Sequence, residues 1–411
     1  MIDIQQQALR LDEHDALKSY KARFELPEAT IYLDGNSLGP LSLAALRALN
    51  TCARDQWGKD LIKSWNIHDW IGLPQRVGAA LAPLLGATQD QLIVCDSISV
   101  NLFKLLTRVL SASERKRVLL QADNFPTDNY VAQGLAEFAR GDILLSYHQT
   151  NDIVEHLDSD VAAVVLSHVN YKTGERYDIK TICQQAHQTG ALVICDLAHS
   201  AGVLNVDLHA WQVDFAVGCG YKYLNGGPGA PGFIYAARPD ALIGRSALQG
   251  WMGHQAPFAF DHSYSQASDM RSFLVGTPPV LSMAALLGAL ADFQELTLPQ
   301  LEQKALALGD LFLTSLSNLG LDNELRLVTP TEHAQRGAQL SFEHEHAYAL
   351  CQALIAEGVI GDFRAPNVLR FGFSPLFLSF ADVVEAALKL REIVRCKSYL
   401  DERFLRRNTV T

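Results

Sequence analysis

The sequence has no long apolar run and no excess of positive charge. No stretch approaches the roughly 20 apolar residues that a membrane-spanning helix needs. The segment Met1–Gln7 has neither the basic nor the apolar region of a signal peptide. Lysine and arginine number 34 against 45 aspartates and glutamates, giving a net charge of −11. We therefore expect neither nucleic acid nor a membrane as the partner of this chain.

Cysteines and common catalytic motifs are also scarce. The seven cysteines are an odd number without the spacing of a zinc site or a disulfide framework, so we expect reduced, buried thiols, a cytoplasmic location and no bound metal. The chain lacks HExxH and GxxxxGKS/T, and Gly218–Gly220 is too short for a dinucleotide-binding fingerprint. These absences argue against zinc proteases and P-loop NTPases.

The middle of the chain alternates between apolar strands and amphipathic helices. This alternation predicts an α/β domain built around a mostly parallel sheet, with its functional site at the carboxyl ends of the strands. The predicted strands are Gln91–Cys95, Arg117–Gln121, Asp142–Ser146, Val161–Ser167, Leu192–Cys195, Asp214–Gly218 and Gly232–Ala237.

The C-terminal part follows a different pattern. A long amphipathic helix over Leu298–Asn318 leads into a smaller unit of mixed strands and helices. At 411 residues, with 48% hydrophobic and 19% charged residues, the chain is long enough for two domains. We predict an N-terminal arm or small-domain segment at 1–44, a large domain at 45–297 and a smaller α+β domain at 298–411.

A lysine and an aspartate follow two neighbouring predicted strands. Lys222 lies between the strand Asp214–Gly218 and a glycine-rich turn, and Asp196 ends the strand that begins at Leu192. A lone lysine in such a place is usually a solvated loop residue. Together, the two residues match the needs of pyridoxal 5'-phosphate (PLP), because a lysine binds its aldehyde and a carboxylate pairs with its ring nitrogen.

Further candidates occur at other strand ends. Ile98 and Ser99 open a helix whose N-terminus suits a phosphate, although an ordinary helix cap explains the pattern too. Phe125 is either a ring that stacks on a flat cofactor or a buried turn residue. Ser167 either donates a hydrogen bond to the cofactor or simply forms a turn.

Three candidates lie later in the chain. Trp251 and Thr277 carry donors for a phosphate, with core packing and helix capping as the respective alternatives. Arg370 lies inside an apolar strand, where a guanidinium needs a carboxylate partner. That partner is either a substrate or an internal aspartate or glutamate.

Four segments of this chain resemble the kynureninase family. The resemblance runs from about residue 30 to the C-terminus, and the tyrosine–lysine and glycine–asparagine–serine runs are its most specific parts. The segments are Tyr32–Pro40, Phe125–Asp128, Asp196–Gly202 and Gly218–Gly229. This family consists of fold-type-I PLP enzymes, related to the class V aminotransferases and the cysteine desulfurases.

The resemblance implies a role for each candidate. Lys222, Tyr221 and Asp196 would be the catalytic residues, with Lys222 carrying the cofactor and moving the substrate α-proton. Arg370 would bind the substrate α-carboxylate, and Asn36 and Ser37 would lie near its aryl end. The cofactor would be held by Ile98, Ser99, Phe125, Asp128, Ser167, Asp196, His199, Tyr221, Lys222, Trp251 and Thr277. Some relatives have asparagine in place of Thr277, and either side chain donates a hydrogen bond.

The activity implied is hydrolysis of the Cβ–Cγ bond of L-kynurenine, or its 3-hydroxy derivative, to anthranilate (or 3-hydroxyanthranilate) and L-alanine. A homodimer is implied as well, because part of the phosphate shell in such enzymes comes from the neighbouring subunit. Two alternatives stay open: a cysteine desulfurase or class V aminotransferase, and a non-catalytic protein of the same fold. A desulfurase needs a reactive cysteine on a small-domain loop, and residues 358–378 contain none. The choice of substrate, and a role in tryptophan breakdown or in NAD synthesis, stay open.

Overall fold

A seven-stranded sheet forms the centre of the computed structural model, which describes residues 4–407. The first three residues of the predicted N-terminal arm lie outside this range. The helices are α1 (Ile4–Glu13), α2 (Leu43–Asn50), α3 (Ser64–Ile67), α4 (Leu73–Leu81), α5 (Ile98–Ser111), α6 (Pro126–Phe138), α7 (Ile179–Thr189), α8 (Leu208–Trp211), α9 (Val280–Leu290), α10 (Leu298–Asn318), α11 (Ala347–Ala356), α12 (Phe380–Cys396) and α13 (Glu402–Leu405). The strands are β1 (Phe24–Glu25), β2 (Ile31–Tyr32), β3 (Leu41–Ser42), β4 (Leu92–Val94), β5 (Arg117–Gln121), β6 (Leu144–His148), β7 (Val161–Ser167), β8 (Leu192–Asp196), β9 (Phe215–Cys219), β10 (Gly232–Ala236), β11 (Arg326–Leu327), β12 (Gln339–Glu343), β13 (Val359–Ile360), β14 (Asp362–Arg364) and β15 (Val368–Gly372).

The large sheet has the strand order β4-β10-β9-β8-β7-β5-β6. Strands β9, β8, β7, β5 and β6 run parallel, whereas β10 is antiparallel to both of its neighbours. Every residue of β7 and β9 is buried, as expected for strands covered by helices on both faces. The predicted α/β architecture with a mostly parallel sheet is confirmed.

The sheet register brings the polar strand ends together. Ser167 at the end of β7 is paired with Asp196 at the end of β8, and Asp196 is paired with Val217 of β9. Because these strands are parallel, their carboxyl ends lie at one edge of the sheet. The turn that carries Lys222 follows β9 at this same edge.

A smaller antiparallel sheet lies in the C-terminal part, with the order β11-β12-β15-β14. Strand β15 of this sheet places Arg370 opposite Ser341 of β12 on one side and opposite Asp362 of β14 on the other. From the N-terminal part of the chain, β2 pairs with β13 in parallel, with Ile31 opposite Val359. The domain boundaries at residues 45 and 298 stay predictions.

Several predicted elements differ from the observed ones. The strand predicted over Asp142–Ser146 begins at Leu144, because Arg140 and Gly141 have positive φ angles and prolong the preceding turn. The apolar periodicity of residues 43–57 predicts a single helix, whereas the structure has α2 followed by a π-helix over Thr51–Asp60. The sequence also predicts a helix over Ile153–Leu157, and the structure has a 3-10 helix over Thr150–His156.

Within residues 4–407, no helix taken alone has the length and apolar character for crossing a membrane. The segments Val280–Phe293 and Leu298–Asn318 reach that length and composition only as a pair, and they meet at an angle of 86°. All seven cysteines are free thiols, and six are buried as predicted. The seventh, Cys396, is exposed at the end of α12, so the prediction of burial is wrong for it.

Candidate active site

A cavity of about 140 Å³ opens at the carboxyl edge of the large sheet. It brings together residues that lie far apart in sequence, on the turns that follow β4, β5, β7, β8 and β9. Nine of the predicted site residues line it: Ile98, Ser99, Phe125, Asp128, Ser167, Asp196, His199, Tyr221 and Lys222.

The amine of Lys222 faces this cavity on a tight turn. Asn225 closes the turn: it takes a left-handed backbone conformation (φ +56°), and its N–H donates to the Lys222 carbonyl over 2.9 Å. The Lys222 amine lies 3.0 Å from Nε2 of His199. Burial lowers the pKa of Lys222, while the nearby Cys219 and Asp196 raise it. A lysine with a lowered pKa has more of its amine in the neutral, nucleophilic form.

His199 stays neutral in this environment. Burial and the positive charge of Lys222 lower the pKa of the imidazole well below its usual value. Its second nitrogen, Nδ1, is buried and has no hydrogen-bond partner among the described residues. Such a group is costly in a folded protein unless a ligand or water satisfies it.

Two carboxyl groups, Asp128 and Asp196, meet at the floor of the cavity. Oδ1 of Asp196 accepts from the N–H of Ala198 over 2.7 Å, and Oδ2 of Asp128 accepts from Nδ2 of Asn124 over 3.0 Å. Burial raises the pKa of both carboxyls, and the charge of Asp196 raises that of Asp128 further. Lys222 opposes the rise at Asp196. Because like charges disfavour double ionisation, one carboxylate and one carboxylic acid are the favoured state.

The cavity floor suits a ring nitrogen that carries a proton. Among the described residues no N–H donates to the buried Oδ1 of Asp128, and a hydrogen bond between the two carboxyls raises the Asp128 pKa further. The cavity therefore offers an acidic pair below, the unsatisfied Nδ1 of His199 and the amine of Lys222. The acidic pair suits the pyridinium nitrogen of PLP, and the amine of Lys222 suits its aldehyde.

The part of the cavity lined by Ile98 and Ser99 suits a phosphate. Ile98 and Ser99 form the first turn of α5, where backbone N–H groups are free of helical partners. The backbone of Gly232 lies against this turn, and a Cβ atom there would come within 3.2 Å of the Ile98 nitrogen. Side-chain capping by Ser97 and phosphate binding are compatible here, since Ser97 accepts only from the Val100 N–H.

Ser167 and Phe125 also line the cavity. The Ser167 hydroxyl contacts Oδ1 of Asn124 and lies 3.2 Å from Oε1 of Gln121. The ring of Phe125 is 44% exposed and meets Tyr171 edge-on, with ring centroids 5.3 Å apart. Sequence reasoning missed Gln121 and Asn124, although both are polar residues at the end of an apolar strand.

Arg370 is buried in an ion pair within the protein. Its Nε donates to Asp362 over 2.8 Å and its Nη2 contacts the second oxygen of the same carboxylate. The hydroxyl of Ser37 accepts from Nη2 over 3.1 Å, and Nη1 contacts the carbonyl of Tyr171. With its amide oxygen turned inward, Asn36 accepts from the same guanidinium. Of the two readings offered by the sequence, the internal ion pair is therefore present.

The ion pair with Asp362 is compatible with a binding role for Arg370. The positive charges of Arg370 and Arg364 act on the pKa of both Lys222 and His199, so these guanidinium groups lie within electrostatic reach of the cavity. Asn36 and Ser37 contact Arg370, and their predicted approach to the aryl end of a substrate stays a prediction. Sequence reasoning missed the carboxylate of Asp362, which lies in a strand neighbouring Arg370.

Asp34 lies next to this arginine cluster and is the basis of a pH prediction. Burial, and then the charge of Asp362, raise the Asp34 pKa from 3.8 to about 7. A raised pKa in the folded state means that folding favours the protonated acid, so ionisation costs stability as pH rises from 3.8 to about 7. We expect Asp34→Asn, which cannot ionise, to gain stability relative to the parent protein across this window.

The measurement is urea unfolding of both proteins at pH values below, within and above that window. Other groups titrate in both proteins and cancel in the difference. Two curves that run parallel from the lowest to the highest pH would contradict the assignment of this titration to Asp34.

Gly39 ties the N-terminal segment to the Lys222 turn. Its N–H donates to the Tyr221 carbonyl over 2.8 Å, and a Cβ atom would lie 2.5 Å from the Lys222 carbonyl oxygen. We expect Gly39→Ala to cost about 1–3 kcal/mol of stability by overpacking, and to weaken cofactor binding by displacing the turn. The comparison is Gly134→Ala in α6, where nothing lies within 4 Å of the new methyl group. A loss no greater than that of the Gly134 variant, measured by urea unfolding, would contradict the close approach.

The structure does not bring Trp251 and Thr277 to the cavity. Both are exposed between β10 and α9, Trp251 at the start of a 3-10 helix over Trp251–Gly253 and Thr277 on an irregular segment. The indole is 37% exposed and packs against Phe258 and Phe260, which are themselves exposed. Their predicted contact with a phosphate stays a prediction.

The fold matches solved structures of PLP enzymes. A cysteine desulfurase from Thermococcus onnurineus aligns with 92% of this chain and 98% of its own, with a TM-score of 0.77 and 16% identity. A cysteine desulfurase from Escherichia coli aligns over the same shares, with a TM-score of 0.76 and 17% identity. The protein therefore has the architecture of the fold-type-I PLP-dependent enzymes.

Sequence comparison gives the family within this class. Residues 301–390 match the family model of the kynureninase C-terminal domain. A kynureninase of Deinococcus radiodurans is 46% identical, covering 93% of this chain and 95% of its own. Kynureninases of Burkholderia mallei and Pseudomonas fluorescens are 43% and 42% identical, over 99% and 98% of both chains respectively. The chain belongs to the kynureninase family.

Proposed function

We propose that this protein uses PLP to hydrolyse the Cβ–Cγ bond of L-kynurenine, giving anthranilate and L-alanine. One observation carries the proposal: a chain related to kynureninases over nearly its whole length gathers Lys222, His199 and an acidic pair around one cavity. Neither a fold match nor a lone lysine would suffice, because this fold serves several chemistries.

Different residues of the cavity bind different parts of the cofactor. Lys222 binds its aldehyde carbon, and Asp196 pairs with its ring nitrogen. The first turn of α5, at Ile98 and Ser99, receives its phosphate. When bound, the cofactor supplies an electron sink for the negative charge that develops at the substrate Cα.

The protein itself moves the protons. The Lys222 amine takes the α-proton of the substrate and later returns it, for which its lowered pKa is suited. Burial raises the pKa of Tyr221, so its hydroxyl stays protonated and serves as a donor near the bond that breaks. A water molecule adds to the γ-carbonyl, and its oxygen stays in the carboxyl group of the released aromatic acid. The electron pair of the broken Cβ–Cγ bond stays with Cβ, which takes up a proton and leaves in L-alanine.

Arg370 binds the substrate α-carboxylate in this proposal. Its guanidinium has five N–H donors, of which Asp362 and Ser37 engage three and the Tyr171 carbonyl one, so a substrate carboxylate would take the remaining Nη1 N–H and displace one of these partners. The pairing fixes the orientation of the guanidinium before substrate arrives, which reduces the entropy lost on binding. Asn36 and Ser37 approach the aryl end once the substrate is bound.

We further propose that the protein works as a homodimer with a shared active site, in the cytoplasm. Two observations support the dimer: Trp251 and Thr277 lie exposed and away from the cavity of their own chain, and Trp251 belongs to an exposed aromatic group with Phe258 and Phe260. The cytoplasmic location is supported by seven unpaired thiols.

Mixing two inactive variants tests the shared site. Trp251→Ala subunits keep Lys222, and Lys222→Ala subunits keep Trp251. If the indole serves the partner's cavity, hybrid dimers have one complete site, so we expect activity to reappear after the two variants are unfolded together and refolded. Activity that stays at the level of separately refolded variants would count against sharing.

The function itself is tested by anthranilate fluorescence after the PLP-loaded protein is mixed with L-kynurenine. A parallel reaction with 3-hydroxykynurenine, followed by absorbance of its product, gives the substrate preference. Rapid product formation with either substrate supports the proposal. A protein that binds PLP but releases neither product would move the function to a desulfurase or class V aminotransferase.

A further inference from the structure

Lys104 is a fully buried lysine outside the cavity. Its side chain lies on α5 and has no exposed surface. A buried ammonium group is costly unless it is paired and hydrogen-bonded. Here Nζ donates to the carbonyl of Phe273 over 2.7 Å and to Oδ1 of Asn101 over 3.3 Å, and it forms an ion pair with Asp96. The ion pair points to a role in the segment that contains Asp96.

Asp96 immediately precedes the turn proposed to hold the phosphate. Its backbone is left-handed, with φ +44°, which is unfavourable for a residue other than glycine. Its carbonyl accepts from the N–H of Gly232 over 2.6 Å, and Ser97 and Ile98 follow directly. An unpaired carboxylate at this position would repel a phosphate that binds the helix N-terminus. The ammonium of Lys104 neutralises that carboxylate and holds the strained residue in place.

A second partner of the Lys104 amine, the carbonyl of Phe273, lies in a different part of the structure. Phe273 starts the segment that leads to Thr277, the exposed threonine predicted to contact a phosphate. In the same segment the carbonyl of Val275 accepts from the N–H of Met252, next to Trp251, over 3.2 Å. The Lys104 ammonium therefore binds both the residue before the first turn of α5 and the segment that lies next to the exposed aromatic group of Trp251, Phe258 and Phe260.

We propose that Lys104 is a positioning residue for the cofactor phosphate: it cancels the charge of Asp96 and fixes the turn that follows. This inference rests on the proposed function, since it assumes that PLP binds in the cavity. It concerns the phosphate alone, because Lys104 does not line the cavity and its contacts are with the segment at the phosphate end.

The experiment compares two ligands that differ only in the phosphate. Apoprotein with Lys104→Met is titrated with PLP and with pyridoxal, and binding is followed by absorbance of the bound aldehyde and by quenching of protein fluorescence. We expect the Kd for PLP to rise about tenfold or more, as for loss of one interaction with a charged group. The Kd for pyridoxal should stay unchanged.

The matched control is Lys304→Met. Lys304 is another buried lysine, paired with Asp15 over 2.7 Å in the contact between the N-terminal segment and α10. Its loss should lower stability without changing the ratio of the two dissociation constants. An equal weakening of PLP and pyridoxal in the Lys104 variant, or PLP binding as tight as in the parent protein, would overturn the proposal.

A double variant separates charge from folding. Asp96→Asn combined with Lys104→Met buries no unpaired charge, so it remains informative if the single variant does not fold. Because the repelling carboxylate is absent, we expect its PLP affinity to return close to that of the parent protein. A tenfold loss of PLP affinity in this folded variant would contradict charge cancellation by Lys104. Failure of the parent protein to bind PLP at all would instead reject the proposed function.

Discussion

Lys222→Ala is expected to abolish turnover of kynurenine and to remove the visible absorbance band of the lysine-bound cofactor. The amine has two tasks in the proposed function: it binds the cofactor aldehyde, and it moves the α-proton. Loss of a positioned proton donor or acceptor alone typically costs a factor of about 10² to 10⁴ in rate. Because this variant loses both tasks, we expect the turnover rate to fall by about a thousandfold or more. The measurement is anthranilate fluorescence with enzyme at high concentration, beside an absorbance spectrum.

The comparison for this variant is Lys180→Ala. Lys180 is an exposed lysine near the start of α7 and does not line the cavity. We expect it to keep the spectrum and the rate of the parent protein. A turnover rate of Lys222→Ala within about tenfold of the parent rate would be a smaller loss than is typical for a catalytic proton donor or acceptor. Such a rate would refute the catalytic role of this lysine.

Asp362→Ala is expected to be the most destabilising of the proposed substitutions. Asp362 and Arg370 are each 1% exposed, and the guanidinium is bound to both oxygens of the carboxylate. Removing one partner leaves an uncompensated charge in the interior, which typically costs about 3–5 kcal/mol. We expect this loss in the free energy of unfolding, measured by urea denaturation.

Two further variants show whether the loss comes from the stranded charge. Asp362→Ala combined with Arg370→Met removes both fully buried charges and leaves Arg364, the 34% exposed second partner of Asp362, so it should be more stable than Asp362→Ala alone. Asp240→Ala breaks an ion pair whose two side chains are 73% and 72% exposed, and it should cost at most about 1 kcal/mol. A double variant no more stable than the single one would show that the loss comes from packing and not from charge.

Much of the architecture follows from local sequence patterns. The fully apolar run of β7 and the amphipathic run of α10 were predicted with the bounds that the structure has. The short apolar run and the long amphipathic run are both patterns of neighbouring residues, so the local sequence alone specifies these two elements. Where the pattern is weak, tertiary contacts decide: β6 is an edge strand with intermediate and exposed residues, and its start was misplaced by two residues.

The candidate site shows the same division. The positions of Lys222 and Asp196 at strand ends were predictable, because parallel strands place their carboxyl ends at one edge of a sheet. Strand-end patterns also indicated Ile98, Ser99, Phe125 and Ser167, and the resemblance to the kynureninase family added Asp128, His199 and Tyr221. No local pattern distinguishes Asp362 from an ordinary strand aspartate, and its pairing with Arg370 depends on the register of two antiparallel strands.

The sequence by itself determined the fold class, the lysine and aspartate of the cavity and the family of the protein. Only the tertiary structure decided how the charges combine. It placed Asp362 on Arg370, Lys104 on Asp96 and the exposed Trp251 away from its own cavity. The physical reason is that strand and helix patterns depend on neighbours a few residues apart, whereas the partner of a buried charge comes from wherever folding places it.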